Sequence, residues 1–215
     1  MVYIFVIQIG ADKMIKNIIF DFGQVLVHFE PRYMTEQYIE NEDDVILAEK
    51  VIFDRFYWDR LDDGTISDDE VVSLVKTRLP KRLHLQAEKV YRNWIYNLPE
   101  VSGMRELIDE LKDKYGVSLF LLSNISTYFS EHSGEIPILD KFDGLVFSAV
   151  CGFSKPNRDI FAHICEKFDL KSEETLFVDD SEKNIAGASE FGIKSFLFKK
   201  DVDKLRVWLE EELKK

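Results

Sequence analysis

Residues 17–26, NIIFDFGQVL, place one carboxylate, Asp21, at the end of an apolar run and directly before a glycine turn. An apolar run of this length bounded by glycine predicts a buried strand. In open α/β sheets, ligands bind just beyond the carboxyl ends of the strands. Asp21 is therefore either a candidate nucleophile or an ordinary strand-end carboxylate that caps a turn.

The composition is typical of a globular protein that folds without disulfides or structural metals. The chain has 215 residues, of which 46% are hydrophobic and 32% charged. A chain of this size buries about 70% of its unfolded surface. The net charge of -12 disfavours nucleic acids and anionic membranes as partners, because both require basic patches. A small anionic substrate must therefore meet local positive charge or a metal ion.

Two features indicate a cytoplasmic location. Cys151 and Cys165 form no CxxC pair, so a disulfide framework or a zinc site is not expected, and both thiols are predicted to be buried. The apolar stretch 2–10 is too short to span a bilayer and lacks the features of an export signal. Because Met14 closely precedes the first strand, we expect translation to start there and residues 1–13 to be an N-terminal extension.

The apolar pattern predicts an α/β core that is interrupted by an all-helical insertion. After the first strand only helical patterns occur up to Leu98, at residues 34–40, 43–53, 67–79 and 85–98. Ser67 precedes three acidic residues and is the expected N-cap of the third helix. From Pro99 onward helices alternate with strands, which are predicted at residues 117–122, 144–150, 175–178 and 194–198. This alternation predicts a doubly wound parallel sheet with helices on both faces.

The helical insertion contains an aromatic and basic cluster at residues 53–60, FDRFYWDR. Such a cluster can stack on a sugar and contact its hydroxyl groups. Aromatic residues of a small helical domain are more often part of its core, so we assign none of these residues to a site.

Four predicted strand ends carry polar residues of complementary chemistry. They are Asp21, Ser123-Asn124, the loop that contains Lys155, and Asp179-Asp180. Each has an ordinary explanation alone, as a helix cap, a turn signal or a solvated lysine. In a parallel sheet, however, these ends share one edge, and one common site explains them better than four separate coincidences.

The four groups together suit phosphoryl transfer. Carboxylates from two strands can hold Mg²⁺, which binds one or two carboxylates together with waters and phosphate oxygens. Asp21 can attack phosphorus to form an aspartyl phosphate, which divides hydrolysis into two steps. Mg²⁺ and Lys155 would offset the charge on the equatorial phosphate oxygens, and Ser123 would add a hydrogen bond.

The order of these motifs resembles that of the haloacid dehalogenase (HAD) superfamily of hydrolases. The four motifs are FDFGQVL at 20–26, LSN at 122–124, KP at 155–156 and FVDDSEKN at 177–184. The resemblance covers nearly everything after Met14 and implies a Rossmann-like core domain made of residues 14–30 and 99–215. It also implies that residues 31–98 form a cap domain of type C1. The Asp-x-Gly sequence of the first motif and the segment GTIS at 64–67 resemble the branch of bacterial α-glucose-1-phosphate phosphatase.

The resemblance gives several of these residues an expected role around a metal ion. It implies that Asp21 is the nucleophile and a metal ligand, and that Asp180 is a second ligand. Asp179 is expected to support Asp180 or to be a further ligand, and the backbone carbonyl of Gly23 is expected to complete an Mg²⁺ site. Because adjacent strand residues point to opposite faces, only one of the two neighbouring carboxylates should bind the ion directly.

The remaining motif residues are expected at the phosphate group. The resemblance implies that Ser123, Asn124 and Lys155 hold the phosphate, with Lys155 also catalytic. Asn184 is expected to support the lysine or the acidic pair through a hydrogen bond. The implied function is hydrolysis of a small phosphorylated metabolite, above all a sugar phosphate, by an Mg²⁺-dependent phosphatase that is a monomer or a homodimer.

Gly23 departs from the pattern of most phosphatases of this superfamily, which carry an acid–base Asp two residues after the nucleophile. A positioned acid–base group supplies about a hundred-fold or more in rate. Three explanations are open. The leaving group departs unassisted, as the anomeric oxygen of a sugar 1-phosphate can; Gln24 or His28 orients water or supplies the proton; or the protein is weakly active.

Other functions use related constellations. A 2-haloacid dehalogenase uses the same nucleophile without a metal, but the acidic pair would then repel its carboxylate substrate. A phospho-switch of the response-regulator type has the acidic pair before the phosphoacceptor and no helical insertion. A protein that binds phosphorylated metabolites with little activity remains an alternative because of Gly23.

Overall fold

Five parallel strands form one sheet within residues 14–215, the part of the chain that the computed structural model describes. In chain order they are β1 (Asn17–Phe20), β2 (Ser118–Ser123), β3 (Gly144–Phe147), β4 (Thr175–Asp179) and β5 (Lys194–Leu197). They lie side by side in the order β3-β2-β1-β4-β5. The predicted Rossmann-like, doubly wound sheet is confirmed. The expectation for residues 1–13 lies outside the described residues.

β1 occupies the centre of the sheet, which explains why its sequence is continuously apolar. Ile18, Ile19 and Phe20 are completely buried, as expected for a central parallel strand that is covered on both faces. Phe20 pairs with Leu121 of β2 on one side and with Val178 of β4 on the other. The residues that follow these three strands therefore emerge side by side at one edge.

A run of helices lies between β1 and β2, as predicted, and we call residues 31–98 the helical insert. Its α-helices are α1 (Pro31–Glu36), α2 (Glu42–Ile52), α3 (Arg55–Asp62), α4 (Asp68–Arg78) and α5 (His84–Asn93). The predicted N-cap of α4 is confirmed, because Ser67 and Glu70 form a reciprocal capping box. α3 was not predicted. It begins at the N-cap Asp54, whose side chain accepts a hydrogen bond from the Phe56 amide.

Six further α-helices follow within the described residues. They are α6 (Met104–Glu110), α7 (Thr127–His132), α8 (Ser148–Cys151), α9 (Arg158–Phe168), α10 (Glu182–Phe191) and α11 (Val202–Leu213). The strand predicted at 144–150 ends at Phe147, because the chain turns there into α8.

Cys165 is buried as predicted, whereas Cys151 is only partly buried. No helix within residues 14–215 is long and apolar enough to cross a bilayer.

The two faces of the sheet contribute to separate apolar clusters. Ile18 and Phe20 point into the larger cluster, which continues into the helical insert. Ile19 points the opposite way, into a smaller cluster with residues of α9 and α10, as the alternation of side chains along a strand requires. The insert thus shares one continuous core with the sheet.

Candidate active site

The strand-end residues predicted to form a site do come together at the carboxyl edge of the sheet. Asp21 directly follows β1, Ser123 ends β2, and Asp179 ends β4. Lys155 reaches the same place from the loop between α8 and α9. Its Nζ atom lies 2.7 Å from Oδ1 of Asp21 and 2.7 Å from Oδ2 of Asp179. The lysine therefore bridges carboxylates from two neighbouring strands.

This bridge is almost completely withdrawn from water. The side chains of Lys155, Asp21 and Asp179 are 1%, 12% and 0% exposed. Burial lowers the pKa of Lys155, but the carboxylates of Asp179 and Asp21 outweigh it, and the net shift is upward. Burial raises the pKa of Asp21; Lys155 opposes this rise and Asp179 adds to it. The ammonium group is thus held in its charged form between the two carboxylates.

Asp179 is fixed by further hydrogen bonds. Nδ2 of Asn184 lies 3.0 Å from each of the two Asp179 carboxylate oxygens, and the Ser181 amide donates to Oδ1 of Asp179 at 2.8 Å. Asn184 was expected to support either the lysine or the acidic pair, and it contacts the pair. Asp179 in turn holds Lys155, so this arrangement orients the ammonium group.

Three carboxylates form a cluster that could bind a metal ion. One oxygen from each of Asp21, Asp179 and Asp180 lies within 4.8 Å of the others. Asp180 is only partly buried, and burial followed by the Asp179 charge raises its pKa. Lys155 forms ion pairs with two of these carboxylates, and the Lys199 ammonium group donates to the backbone carbonyl of Asp180 at 3.4 Å. The oxygen donors and the excess negative charge suit a hard divalent cation such as Mg²⁺.

Asn124 contacts the backbone of Lys155 with both ends of its carboxamide. Its Nδ2 donates to the Lys155 carbonyl at 2.9 Å, and its Oδ1 accepts from the Lys155 amide at 2.8 Å. Asn124 thus positions the lysine, while its expected contact with phosphate remains a prediction. Ser123 is buried beside Asp21 and lines the same cavity.

The site opens into a cavity of about 200 Å³ whose outer wall comes from the helical insert and the residues that lead into it. The rings of Phe29, Trp58 and Trp94 pack edge to face, with centroids 5.2–5.7 Å apart. Arg55 and Asp62, at the two ends of α3, also line the cavity. These wall residues were not predicted from the sequence to belong to the site. The cluster at 53–60 was the available signal, and Trp58 proves to be both core and wall, since it is 8% exposed.

Gln24 and His28, the two candidates for replacing the missing acid–base group, differ in position. Gln24 lines the cavity, but its Nε2 is turned back and donates to the Phe29 carbonyl at 2.8 Å. Its Oε1 is buried and has no hydrogen-bond partner within residues 14–215. His28 is not among the residues that line this cavity. Neither side chain is therefore placed to donate a proton in the site.

The fold and the site together define a hydrolase of the α/β class with an aspartate at the edge of the sheet. Residues 15–192 match the family of haloacid dehalogenase-like hydrolases, and the chain belongs to this family. The predicted family and the predicted enzyme class are thereby confirmed. The assignment to the branch of α-glucose-1-phosphate phosphatase and to a type C1 cap stays a prediction.

Characterised relatives cover most of the chain. The D-ribitol-5-phosphate phosphatase of Bacteroides thetaiotaomicron is 29% identical over 195 residues, 85% of this chain and 91% of that protein. The sesquiterpene phosphatase of Aspergillus oryzae is 27% identical over 182 residues, 83% of this chain and 87% of that protein. A HAD family enzyme of B. thetaiotaomicron in complex with magnesium and inorganic phosphate shares the fold, with a TM-score of 0.69 at 22% identity over 89% of this chain and 98% of its own.

Proposed function

We propose that the protein is an Mg²⁺-dependent phosphatase that hydrolyses a small phosphate ester through an aspartyl phosphate on Asp21. The observation that carries this proposal is the buried Lys155 bridge between Asp21 and Asp179, with Asp180 close enough to complete a cation site. Two relatives with phosphatase names and a related structure that binds magnesium and phosphate support it.

In this proposal every residue of the site has a defined role. The Asp21 carboxylate attacks phosphorus, and Lys155 and Ser123 bind the phosphate oxygens as charge spreads over them. Asp179 and Asn124 orient Lys155, from its ammonium group and from its backbone respectively. Asp21, Asp180 and the Gly23 carbonyl would hold Mg²⁺, with Asp179 as support. The ion would neutralise the charge of the phosphate beside the nucleophile.

The cavity favours a compact substrate. Its volume of about 200 Å³ lies below the ~300–1,000 Å³ of typical small-molecule pockets. The aromatic wall can stack on the face of a sugar or polyol, whose hydroxyl groups can bond to polar side chains beside it. We therefore infer that a sugar or polyol phosphate is the substrate. We also infer that residues 31–98 act as the cap domain over a core of residues 14–30 and 99–215.

The alternative functions have less support from the site. A 2-haloacid dehalogenase would have to draw a carboxylate substrate towards a cluster of three carboxylates. A phosphometabolite-binding protein without activity would have no use for a nucleophile held at hydrogen-bond distance from the phosphate-binding lysine. The phosphatase uses both features.

A phosphate-release screen tests the proposal. The protein with Mg²⁺ is offered sugar phosphates, polyol phosphates, nucleotides and flavin mononucleotide, and halide release from a 2-haloacid is measured in parallel. We expect phosphate release from at least one sugar or polyol phosphate. Asp21→Asn should lower this rate by at least about a thousand-fold, because the amide cannot form the intermediate. Chelation of Mg²⁺ should abolish it. The proposal would be contradicted if no ester of the panel released phosphate, or if Asp21→Asn kept full activity.

A further inference from the structure

The space beside Gly23 shows that no steric reason requires glycine there. A Cβ atom at this position would meet nothing within 4 Å. The φ angle of Gly23 is not positive, so other residues can adopt its backbone conformation. The usual acid–base side chain would therefore fit, yet this chain lacks it. If the protein hydrolyses alkyl esters, another group must protonate the leaving oxygen.

Asp62 belongs to the wall of the cavity into which the site opens. It is the last residue of α3 and lines the same cavity as Asp21. Its backbone carbonyl accepts a hydrogen bond from the Ser148 hydroxyl at 2.5 Å, which attaches the end of α3 to the core. Two residues later, a Cβ atom at Gly64 would lie only 3.0 Å from the Ala149 carbonyl oxygen. The backbone at Gly64, two residues after Asp62, therefore packs closely against Ala149 of α8.

The surroundings of Asp62 favour a protonated carboxyl group. Burial raises its pKa to about 8, Arg55 opposes this rise, and Asp59, Asp63 and Asp21 add to it. Arg55 is largely exposed and forms an ion pair with Asp59, and its charge opposes the rise without reversing it. At neutral pH, Asp62 therefore carries a proton that it can donate.

We propose that Asp62, supplied by the helical insert, is the general acid and base that the first motif lacks. The inference rests on the proposed phosphatase function and adds a catalytic residue to it. It explains why Gly23 is compatible with activity, because a second acidic side chain of the same cavity supplies the proton that the first motif cannot.

The proton then passes through a complete cycle. In the first step an Asp21 oxygen bonds to phosphorus, the ester P–O bond breaks, and the Asp62 proton moves to the leaving oxygen, so that an alcohol departs. In the second step the Asp62 carboxylate takes a proton from water while the water oxygen attacks phosphorus. The Asp21–phosphorus bond breaks, inorganic phosphate leaves, and Asp62 is protonated again.

The test compares two esters whose leaving groups differ in their need for a proton. p-Nitrophenolate departs without protonation, whereas the alkoxide of ribitol 5-phosphate does not. In Asp62→Asn we expect alkyl ester hydrolysis to fall by about a hundred-fold or more. p-Nitrophenolate should still appear in a rapid burst of about one equivalent per enzyme, followed by slow turnover, because only the second step then needs the base. The exposed neighbour variant Asp63→Asn should behave like the wild type.

A second variant restores the proton donor at the usual position. Because the space beside Gly23 is open, Gly23→Asp combined with Asp62→Asn should recover at least about ten-fold of the lost alkyl ester activity. The inference is overturned if Asp62→Asn slows the nitrophenolate burst as much as alkyl ester hydrolysis, or if it behaves like Asp63→Asn on both esters. Wild-type protein that releases phosphate from no ester of the full panel would instead overturn the proposed function itself; if another alkyl ester of that panel is hydrolysed, it replaces ribitol 5-phosphate in the comparison.

Discussion

A carboxyl group whose pKa is raised by burial lowers the stability of the folded protein as it ionises. The pKa of Asp62 is raised from 3.8 to about 8 in the folded protein, so between these values the folded state binds more protons than the unfolded state. The free energy of unfolding therefore falls as pH rises through this range, and the loss is complete above about pH 8.

Removing this group should consequently stabilise the protein at alkaline pH. We expect Asp62→Asn to raise the free energy of unfolding by about 1 kcal/mol at pH 8.5, after allowing for partial solvent exposure, and to change it little at pH 4. Denaturant unfolding at both pH values measures the difference. Asp63→Asn, at an exposed position, should change stability by less than about 0.5 kcal/mol at either pH. Destabilisation by Asp62→Asn at pH 8.5 would show that the carboxylate has a structural partner.

At the scale of elements, α10 is packed directly against the loop that carries Lys155. A Cβ atom at Gly187 would lie 2.3 Å from the Pro156 carbonyl oxygen and 3.0 Å from the Pro156 Cβ. The same helix carries Asn184, which binds Asp179. One helix therefore fixes both the lysine loop and the carboxylate that orients the ammonium group.

Gly187→Ala tests this contact, because the two relevant effects have opposite signs. Helix propensity alone would stabilise α10 by about 1 kcal/mol, whereas forcing the helix away from Pro156 should destabilise the protein by roughly 1–3 kcal/mol. We expect net destabilisation, together with at least about a ten-fold loss of phosphate release through displacement of Lys155. Thermal unfolding and a phosphatase assay measure both. The matched control is Gly134→Ala, whose Cβ would meet nothing within 4 Å and which should change neither.

The elements also show which parts of the site can be predicted from sequence. Asp21 and Asp179 follow from short-range patterns, because an apolar run and its polar end define a strand and the edge to which it points. Lys155 reaches the same edge although α8 separates it from β3. α3 is only eight residues long, and its buried side chains, Tyr57, Trp58 and Leu61, span too few turns for a helical pattern to be recognised from the sequence. Asp62 depends on a contact with Ser148, 86 residues away. Periodicity carries no information about contacts of this range, so the outer wall of the site was missed.

For the whole molecule, the site combines two parts of the chain that lie far apart in sequence. The sheet edge supplies the carboxylate cluster of Asp21, Asp179 and Asp180, and the helical insert supplies Trp58, Trp94 and Asp62. The insert also shares one continuous apolar core with the sheet. Substrate recognition and proton transfer should therefore depend on how this insert is seated, while the chemistry at phosphorus depends on the sheet.

The overall charge of the molecule opposes the approach of its proposed substrate. The net charge is -12, and a phosphate ester near neutral pH is also anionic. Lys155 is buried, and Arg55 at the cavity is paired with Asp59, so little positive potential extends into solvent. At 10 mM ionic strength the Debye length is about 30 Å, and the repulsion acts over the whole molecule, whereas at 150 mM it is about 8 Å.

Added salt should therefore improve capture of the substrate without changing the chemical step. We expect kcat/KM for a sugar or polyol phosphate to rise about two- to five-fold between 10 and 150 mM NaCl at fixed Mg²⁺, with kcat nearly constant. Steady-state kinetics over this range measures both. Arg55→Gln removes a positive charge at the cavity and should make the rise steeper. A fall of kcat/KM with salt would show instead that the local field of Lys155 and the bound cation dominates the approach of the anion.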